Sequence, residues 1–307
     1  MMPTPSEIVA AYELIEPHIR RTPCMDYELP DRTQITLKLE LLQHAGSFKP
    51  RGAFFSVLSA TEKPERLVAA SGGSHGMAVA YAGLRLGIPT TIFVPTTAPA
   101  AKVSRLHAFG ADVRLVGSTY AEAHEACLPE ARRHGSLEIH AYDGSPTVTG
   151  QGTIGLEIEE QSEPDTILVA CGGGGLMGGL ASWFGRRAKI IAVEPETCPA
   201  YAAALAEDRP VPTRPSGIAA DALGASTLGA VPWSAAKAAG VESLLVSDSD
   251  IAAARAHIWR STRLVAEPGG ATALAPLLSG AYVPADGERV TVIVCGSNTD
   301  PATLPMD

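Results

Sequence analysis

The chain has 307 residues, 46% of them hydrophobic and 19% charged, with a formal net charge of −9. That length suits one large domain or two moderate ones, and that composition is globular rather than disordered. The acidic balance argues against nucleic acid or an anionic membrane as a partner, and no apolar run approaches the roughly 20 residues of a membrane span.

Residues 1–21 carry acids and a proline where a signal peptide would have an apolar core. The five cysteines (Cys24, Cys127, Cys171, Cys198, Cys295) are odd in number, widely spaced and without a CxxC. Free thiols in a reducing compartment fit this pattern, so a cytoplasmic location is expected.

Along the chain, short β-rich runs alternate with alanine-rich helical stretches. A strand is predicted at 67–70 and a helix at 77–86, then a strand at 90–95 and a helix at 98–109 that stops at Gly110. Another strand (112–116) and helix (119–133) follow. Later strands are predicted at 166–170, 190–193 and 290–294. These strands are continuous apolar runs, the signature of parallel strands covered on both faces. Residues 207–213 (EDRPVPT) form a proline-punctuated loop. The βα alternation predicts an α/β fold with helices on both sides of a parallel sheet. The last predicted strand lies close to the end of the chain, so no appended regulatory domain is expected.

Six lysines occur: Lys38, Lys49, Lys63, Lys102, Lys189 and Lys237. Five sit in stretches that read as surface or strand edge. Lys49 lies in GSFKPRGA (46–53), between glycines and beside Phe48. Burial there would lower its pKa and free the amine as a nucleophile; a solvated loop lysine is the alternative reading of the same motif.

The run CGGGGLMGG (171–179) follows a strand and opens a helix. Backbone N–H groups of Gly172, Gly173, Gly174, Gly175 and Leu176 can converge on a phosphate, aided by the helix dipole. The run is not a dinucleotide fingerprint, and it lacks the Lys-Ser/Thr of a nucleoside-triphosphate loop. A tight strand-to-helix turn is the plainer alternative. A second small-residue loop, SGGSHG (71–76), suits a carboxylate, or simply N-capping by Ser74. His75 by itself reads as a satisfied structural histidine. The last strand runs into CGSN (295–298). Ligands of open parallel sheets bind beyond the carboxyl ends of the strands, so Lys49, both loops and Cys295 can share one cleft. A nucleophilic lysine, a phosphate cradle and a carboxylate loop together describe pyridoxal 5'-phosphate (PLP) plus an amino acid.

GSFKPRGA, SGGSHG, GQGT (150–153), CGGGGLMGG, EPGGA (267–271) and CGSN stand in the order seen in the fold-type II PLP enzymes. Arg21-Thr22-Pro23 and Leu37-Lys38-Leu39-Glu40 also match. Over essentially its whole length the chain resembles the serine/threonine dehydratase and serine racemase branch. The resemblance implies two open, mainly parallel sheets flanked by helices, of the tryptophan synthase β type, with the active site in the cleft between domains. It places residues 1–55 and 144–307 in a large PLP-binding domain and 56–143 in a small mobile one. It implies that Lys49 carries PLP as a Schiff base and is the base at Cα, and that the backbone from Gly172 to Leu176 holds the phosphate. Phe48 would pack by the pyridine ring, Cys295 would face the ring nitrogen, and Glu267 would lie near the cofactor edge. Ser71, Gly72, Gly73, Ser74 and His75 would surround the substrate carboxylate. The implied reaction is elimination of water from a small β-hydroxy amino acid such as L-threonine or L-serine, giving a 2-oxo acid and ammonia, with the bound phosphate as acid for the β-hydroxyl. A neutral thiol at Cys295 would not hold the ring nitrogen protonated, which favours prompt elimination over transamination. The family is often dimeric, which implies a homodimer.

The chain departs from the family at several positions. Ser74 replaces an asparagine that commonly contacts the cofactor's 3-hydroxyl. Gly72 replaces the serine that racemases use as second-face acid/base, which favours elimination. Cys198-Pro199-Ala200 follows Glu194-Pro195 where cation-binding relatives have an acid, so no metal site is predicted. Asp221 has no assigned role beyond loop capping. His140-Ala141-Tyr142-Asp143 stands for a histidine-proline-phenylalanine-aspartate stretch, and Tyr142 would line the substrate pocket. The alternatives are a racemase, a 3-hydroxyaspartate or aryl-serine dehydratase, and a weakly active PLP-binding relative. A nucleotide-binding module lacks its acidic ribose partner.

Overall fold

The computed structural model describes residues 1–304. Among them are strands β1 (Cys24–Glu28), β2 (Gln34–Lys38), β3 (Arg66–Ala70), β4 (Thr90–Val94), β5 (Asp112–Leu115), β6 (Ser136–Glu138), β7 (Thr166–Ala170), β8 (Lys189–Pro195), β9 (Glu242–Val246) and β10 (Val290–Ile293). They form a six-stranded sheet ordered β1-β2-β10-β7-β8-β9 and a four-stranded sheet ordered β5-β4-β3-β6. Every pairing is parallel except β1 with β2. The two mainly parallel, helix-flanked sheets are those the resemblance implied.

Most of the predicted strands are unbroken apolar runs; β5, also predicted, is an edge strand of mixed sequence and mostly exposed. In β4, β7 and β10 every residue is buried, as strands covered on both faces must be. Four strands, β1, β2, β6 and β9, were not predicted. Strands β1 and β9 are edges of the large sheet with mixed exposure. Strand β6 has three residues, all part-buried, and β2 alternates like an exposed strand yet lies second from the edge.

The helices that bear on the site are α1 (Pro5–Ile15), α2 (Pro50–Leu58), α3 (Ser74–Leu86), α4 (Ala100–Ala108), α5 (Tyr120–Ala131), α6 (Ser145–Ser162) and α7 (Gly175–Phe184). Helix α1 starts in a capping box: the Thr4 hydroxyl accepts the Glu7 N–H at 3.3 Å, and the Glu7 carboxylate accepts the Thr4 N–H at 2.7 Å. Its Ile8, Ala11 and Ile15 are buried at the 3–4 residue spacing of one helix face. Helix α3 starts earlier than predicted. Gly73, not Ser74, occupies the N-cap, and no side chain caps it; Ser74 is the first helical residue and its hydroxyl points elsewhere.

Helix α6 is buried from Thr147 through Ile158, and GQGT is what lets it pack so closely. A Cβ at Gly150 would lie 2.6 Å from the Arg51 carbonyl oxygen, inside α2. One at Gly179 of α7 would lie 2.6 Å from the Gly152 nitrogen. The two helices that carry the Lys49 motif and the glycine run are thus packed backbone to backbone against one central helix.

Beneath that junction lies a charge cluster that the sequence did not reveal. Lys38 is not a strand-edge surface lysine. Its side chain and those of Arg51, Glu40 and Glu157 are all 0% exposed. Lys38 Nζ donates to Glu157 at 2.6 Å, and Arg51 donates to Glu157 and to Glu40, each at 2.8 Å. The Thr22 hydroxyl also donates to Glu40. Two cations and two anions balance, as buried charges must. Arg51 sits two residues after Lys49, so the cluster fixes the start of α2 to β2 and α6. Burial would push the Glu157 carboxyl up, but Arg51 and Lys38 hold it below its ordinary value.

Candidate active site

One cavity of about 650 Å³ lies at the carboxyl ends of β3, β7 and β10, where open parallel sheets place their ligands. Every site residue expected from the sequence lines it: Phe48, Lys49, Ser71, Gly72, Gly73, Ser74, His75, Tyr142, Gly172, Gly173, Gly174, Gly175, Leu176, Glu267 and Cys295.

Lys49 is the N-cap of α2, directly after the loop from β2. Its Nζ donates to the Ala141 carbonyl at 2.7 Å and stands 5.1 Å from the centre of the Phe48 ring. Burial lowers its pKa from 10.5 to about 8, although Cys295 and Glu267 pull it back upward. The amine is therefore partly neutral near physiological pH, the condition for a nucleophile.

The glycine run makes a bare-backbone cradle. Gly174 caps α7 at φ 88°, a conformation that favours glycine. No side chain caps the helix, so its first-turn N–H groups are left for a ligand. Side chains would fill the cradle from behind: a Cβ at Gly172 would lie 2.8 Å from Leu223 Cα, and one at Gly173 would lie 2.3 Å from the Tyr142 ring. The Tyr142 ring thus packs on Gly173, besides lining the cavity. An uncapped helix start, a cradle without side chains and a buried amine across the cavity fit a phosphate-bearing aldehyde such as PLP.

On the opposite wall, the Ser71 hydroxyl accepts the Gly73 N–H at 3.2 Å. His75 Nε2 meets the Ile139 carbonyl at 2.7 Å. A carbonyl only accepts, so Nε2 carries the proton. Burial and the Lys49 charge push this imidazole down to about 3, and it is neutral. Ser74 Oγ accepts from Asn298 Nδ2 at 2.9 Å, and Asn298 Oδ1 accepts from Arg105 at 2.7 Å. Gly72 presents only backbone; a Cβ there would meet Val94 at 3.0 Å and Ala98 at 3.4 Å.

Burial raises the Cys295 thiol to about 12, and its Sγ lies 3.5 Å from the Gly269 carbonyl. It is a neutral thiol at physiological pH. Burial, with Asp221 nearby, raises the Glu267 carboxyl to about 7. Glu194 lies outside this cavity. Its carboxylate accepts the N–H groups of Tyr201 and Ala202 at 2.7 and 2.8 Å, at the start of the helix Ala200–Ala206.

Two contributors, Lys102 and Tyr120, escaped the sequence reading, and Asp221 was read only as a loop-capping residue. Lys102 of α4 and Asp221 pair across the mouth of the cavity, and Tyr120 at the start of α5 lines it. The scarcity of lysine was the available signal for Lys102. Nothing in the sequence joins residues 102 and 221.

Comparison with known proteins gives a consistent picture. The family model for pyridoxal-phosphate dependent enzymes matches residues 15–296. The chain is 34% identical over 273 residues to an L-threonine ammonia-lyase of Thermotoga maritima, covering 87% of this chain and 68% of that one. It is 32% identical over 316 residues to a phenylserine dehydratase of Ralstonia pickettii, covering 99% and 95%. Among solved structures, maize serine racemase superposes with a TM-score of 0.93 at 30% identity, covering 99% of this chain and 96% of that one.

Proposed function

From the premise that this chain belongs to the pyridoxal-phosphate dependent enzymes, we propose that it is a dehydratase (ammonia-lyase) acting on a small β-hydroxy amino acid, releasing a 2-oxo acid and ammonia. The observation that carries this reading is the Lys49 amine, set across one cavity from a side-chain-free phosphate cradle. Similarity to a threonine ammonia-lyase and a phenylserine dehydratase supports the reaction type.

Bound here, PLP supplies an electron sink for negative charge at the substrate's Cα. The chain's residues do the rest. Lys49 Nζ is the amine that would hold the cofactor and, when free, would accept the Cα proton. Its lowered pKa suits both tasks. The N–H groups from Gly172 to Leu176 and the α7 dipole bind the phosphate. The N–H groups from Ser71 to His75 orient the substrate carboxylate. Phe48, Glu267 and Cys295 would line the bound cofactor, and the Cys295 thiol, neutral at physiological pH, would not fix a proton on it. Tyr142 holds the cradle from behind and walls the pocket. Residues 56–143 form the part that opens and closes over the cleft, with the Lys102–Asp221 pair spanning its mouth.

Elimination is favoured over racemisation because Gly72 delivers no side-chain proton to the second face of Cα. The five free cysteines fit a cytoplasmic enzyme, and the family's habit supports a homodimer. The test is direct. The purified protein should absorb as a PLP Schiff base, and it should release 2-oxo acid and ammonia from a panel of L-serine, L-threonine and L-phenylserine. D-serine formed faster than pyruvate would overturn elimination. Absorbance unchanged in Lys49→Ala would overturn the lysine.

A further inference from the structure

Ser47 opens the stretch that carries Phe48 and Lys49. It is 1% exposed. Its backbone is extended, and an antiparallel bridge to Gly296 sets it beside Cys295. Its hydroxyl has no hydrogen-bond partner among the described residues. A buried hydroxyl without a partner destabilises a fold, and native proteins rarely keep one without a reason.

Six described residues carry an orphaned buried polar atom: Ser47, Arg66, Ser136, Gln151, Trp183 and His257. Ser47 alone of these lines the cavity of about 650 Å³. Charged and polar side chains elsewhere on the cavity lining have protein partners. Lys49 donates to Ala141, His75 to Ile139, and Ser74 is held by Asn298. Lys102 is paired with Asp221. Ser47 is thus the one buried hydroxyl on this wall whose bonding is left for a ligand to complete.

We propose that Ser47 is a cofactor-binding residue whose hydroxyl hydrogen-bonds a polar group of bound pyridoxal phosphate. The inference rests on the proposed PLP chemistry of the site. It favours cofactor over substrate for a positional reason: Ser47 is flanked by Phe48 and Lys49 and bridged to the Gly296 beside Cys295. All of these belong to the large sheet's wall. The loop assigned to the substrate carboxylate follows β3, in the other sheet.

Ser47→Ala removes only the hydroxyl oxygen, and the proposal requires opposite effects in two states. In the cofactor-stripped full chain, deleting an unpaired buried hydroxyl should raise Tm by about 2 °C. In spectroscopic titration, the same variant should bind PLP about tenfold more weakly. A Tm that falls in the stripped protein would make Ser47 structural and overturn the proposal. Unchanged PLP affinity would overturn it too, as would a raised substrate KM with PLP affinity intact, which would assign Ser47 to the substrate. If the unmutated chain binds no PLP, it is the proposed function that fails, and the two failures are told apart by that control.

Discussion

Replacing Glu157 by glutamine tests whether the buried charge cluster holds the lysine-bearing segment in place. Glu157 faces Lys38 at 2.6 Å and Arg51 at 2.8 and 2.9 Å, with no solvent access on either side of the ion pairs. The amide removes one of two balanced negative charges and leaves a buried cation uncompensated, which costs about 3–5 kcal/mol. Unfolding 307 residues carries an entropy of about 0.6 kcal/mol/K. The expected fall in Tm is therefore about 5–8 °C, followed by circular dichroism on the cofactor-loaded protein. Glu28→Gln is the control. Its pair with Arg32 is exposed at the surface, and its shift should stay under about 1 °C. The double variant Lys38→Met/Glu157→Gln leaves Arg51 and Glu40 as a neutral pair. It should be less destabilised than Glu157→Gln alone, because neighbouring charges couple. A Tm for Glu157→Gln within about 2 °C of the parent, or a double variant worse than the single one, would show that the buried charges do not hold this segment in place. Because Arg51 and Lys38 hold the Glu157 carboxyl below its ordinary value against the effect of burial, its contribution is present at neutral pH. It disappears only as pH falls through that depressed value.

Gly173→Ala should weaken PLP binding by about tenfold or more, since its Cβ would collide with the Tyr142 ring 2.3 Å away; adding Tyr142→Ala should recover part of the loss in the same titration. Asp221→Asn breaks the pair with Lys102, whose partner side is largely exposed, so Tm should move by under about 1 °C. The freed ammonium on the cavity wall should tighten inhibition by succinate, and an unchanged Ki would contradict its placement. PLP association with the stripped protein should speed up as pH rises toward about 8 and level off above it, because burial lowers the Lys49 amine to that value and only the neutral form attacks. A stopped-flow rate still climbing toward pH 10.5 would show a solvated lysine.

The fold was legible where both faces of a strand are covered. β4, β7 and β10 are continuous apolar runs for that reason. Edge strands β1 and β9 were not legible, because half-exposed strands mix polar and apolar residues as loops do. That the candidate residues share one cavity was legible because its parts are local: a lysine between glycines, two glycine loops after strands, and a thiol after the last strand. What the sequence hid is contact between distant segments. Lys38 looked like a surface lysine because nothing in its own strand names Glu157, 119 residues away. Ser74 looked like an N-cap because the serine fits one. Gly73 takes that place instead, and Ser74 turns to Asn298, 224 residues on. GQGT carried a family resemblance but no stated role, and its glycines serve the close crossing of α6 with α2 and α7.

The most direct measurement is chemical trapping of the cofactor. Borohydride reduction of the PLP-loaded protein, proteolysis and mass spectrometry locate the lysine that carries the pyridoxyl group. A single modified peptide, with the group on Lys49, is expected. Modification of Lys102 or any other lysine, or of none, would contradict that assignment.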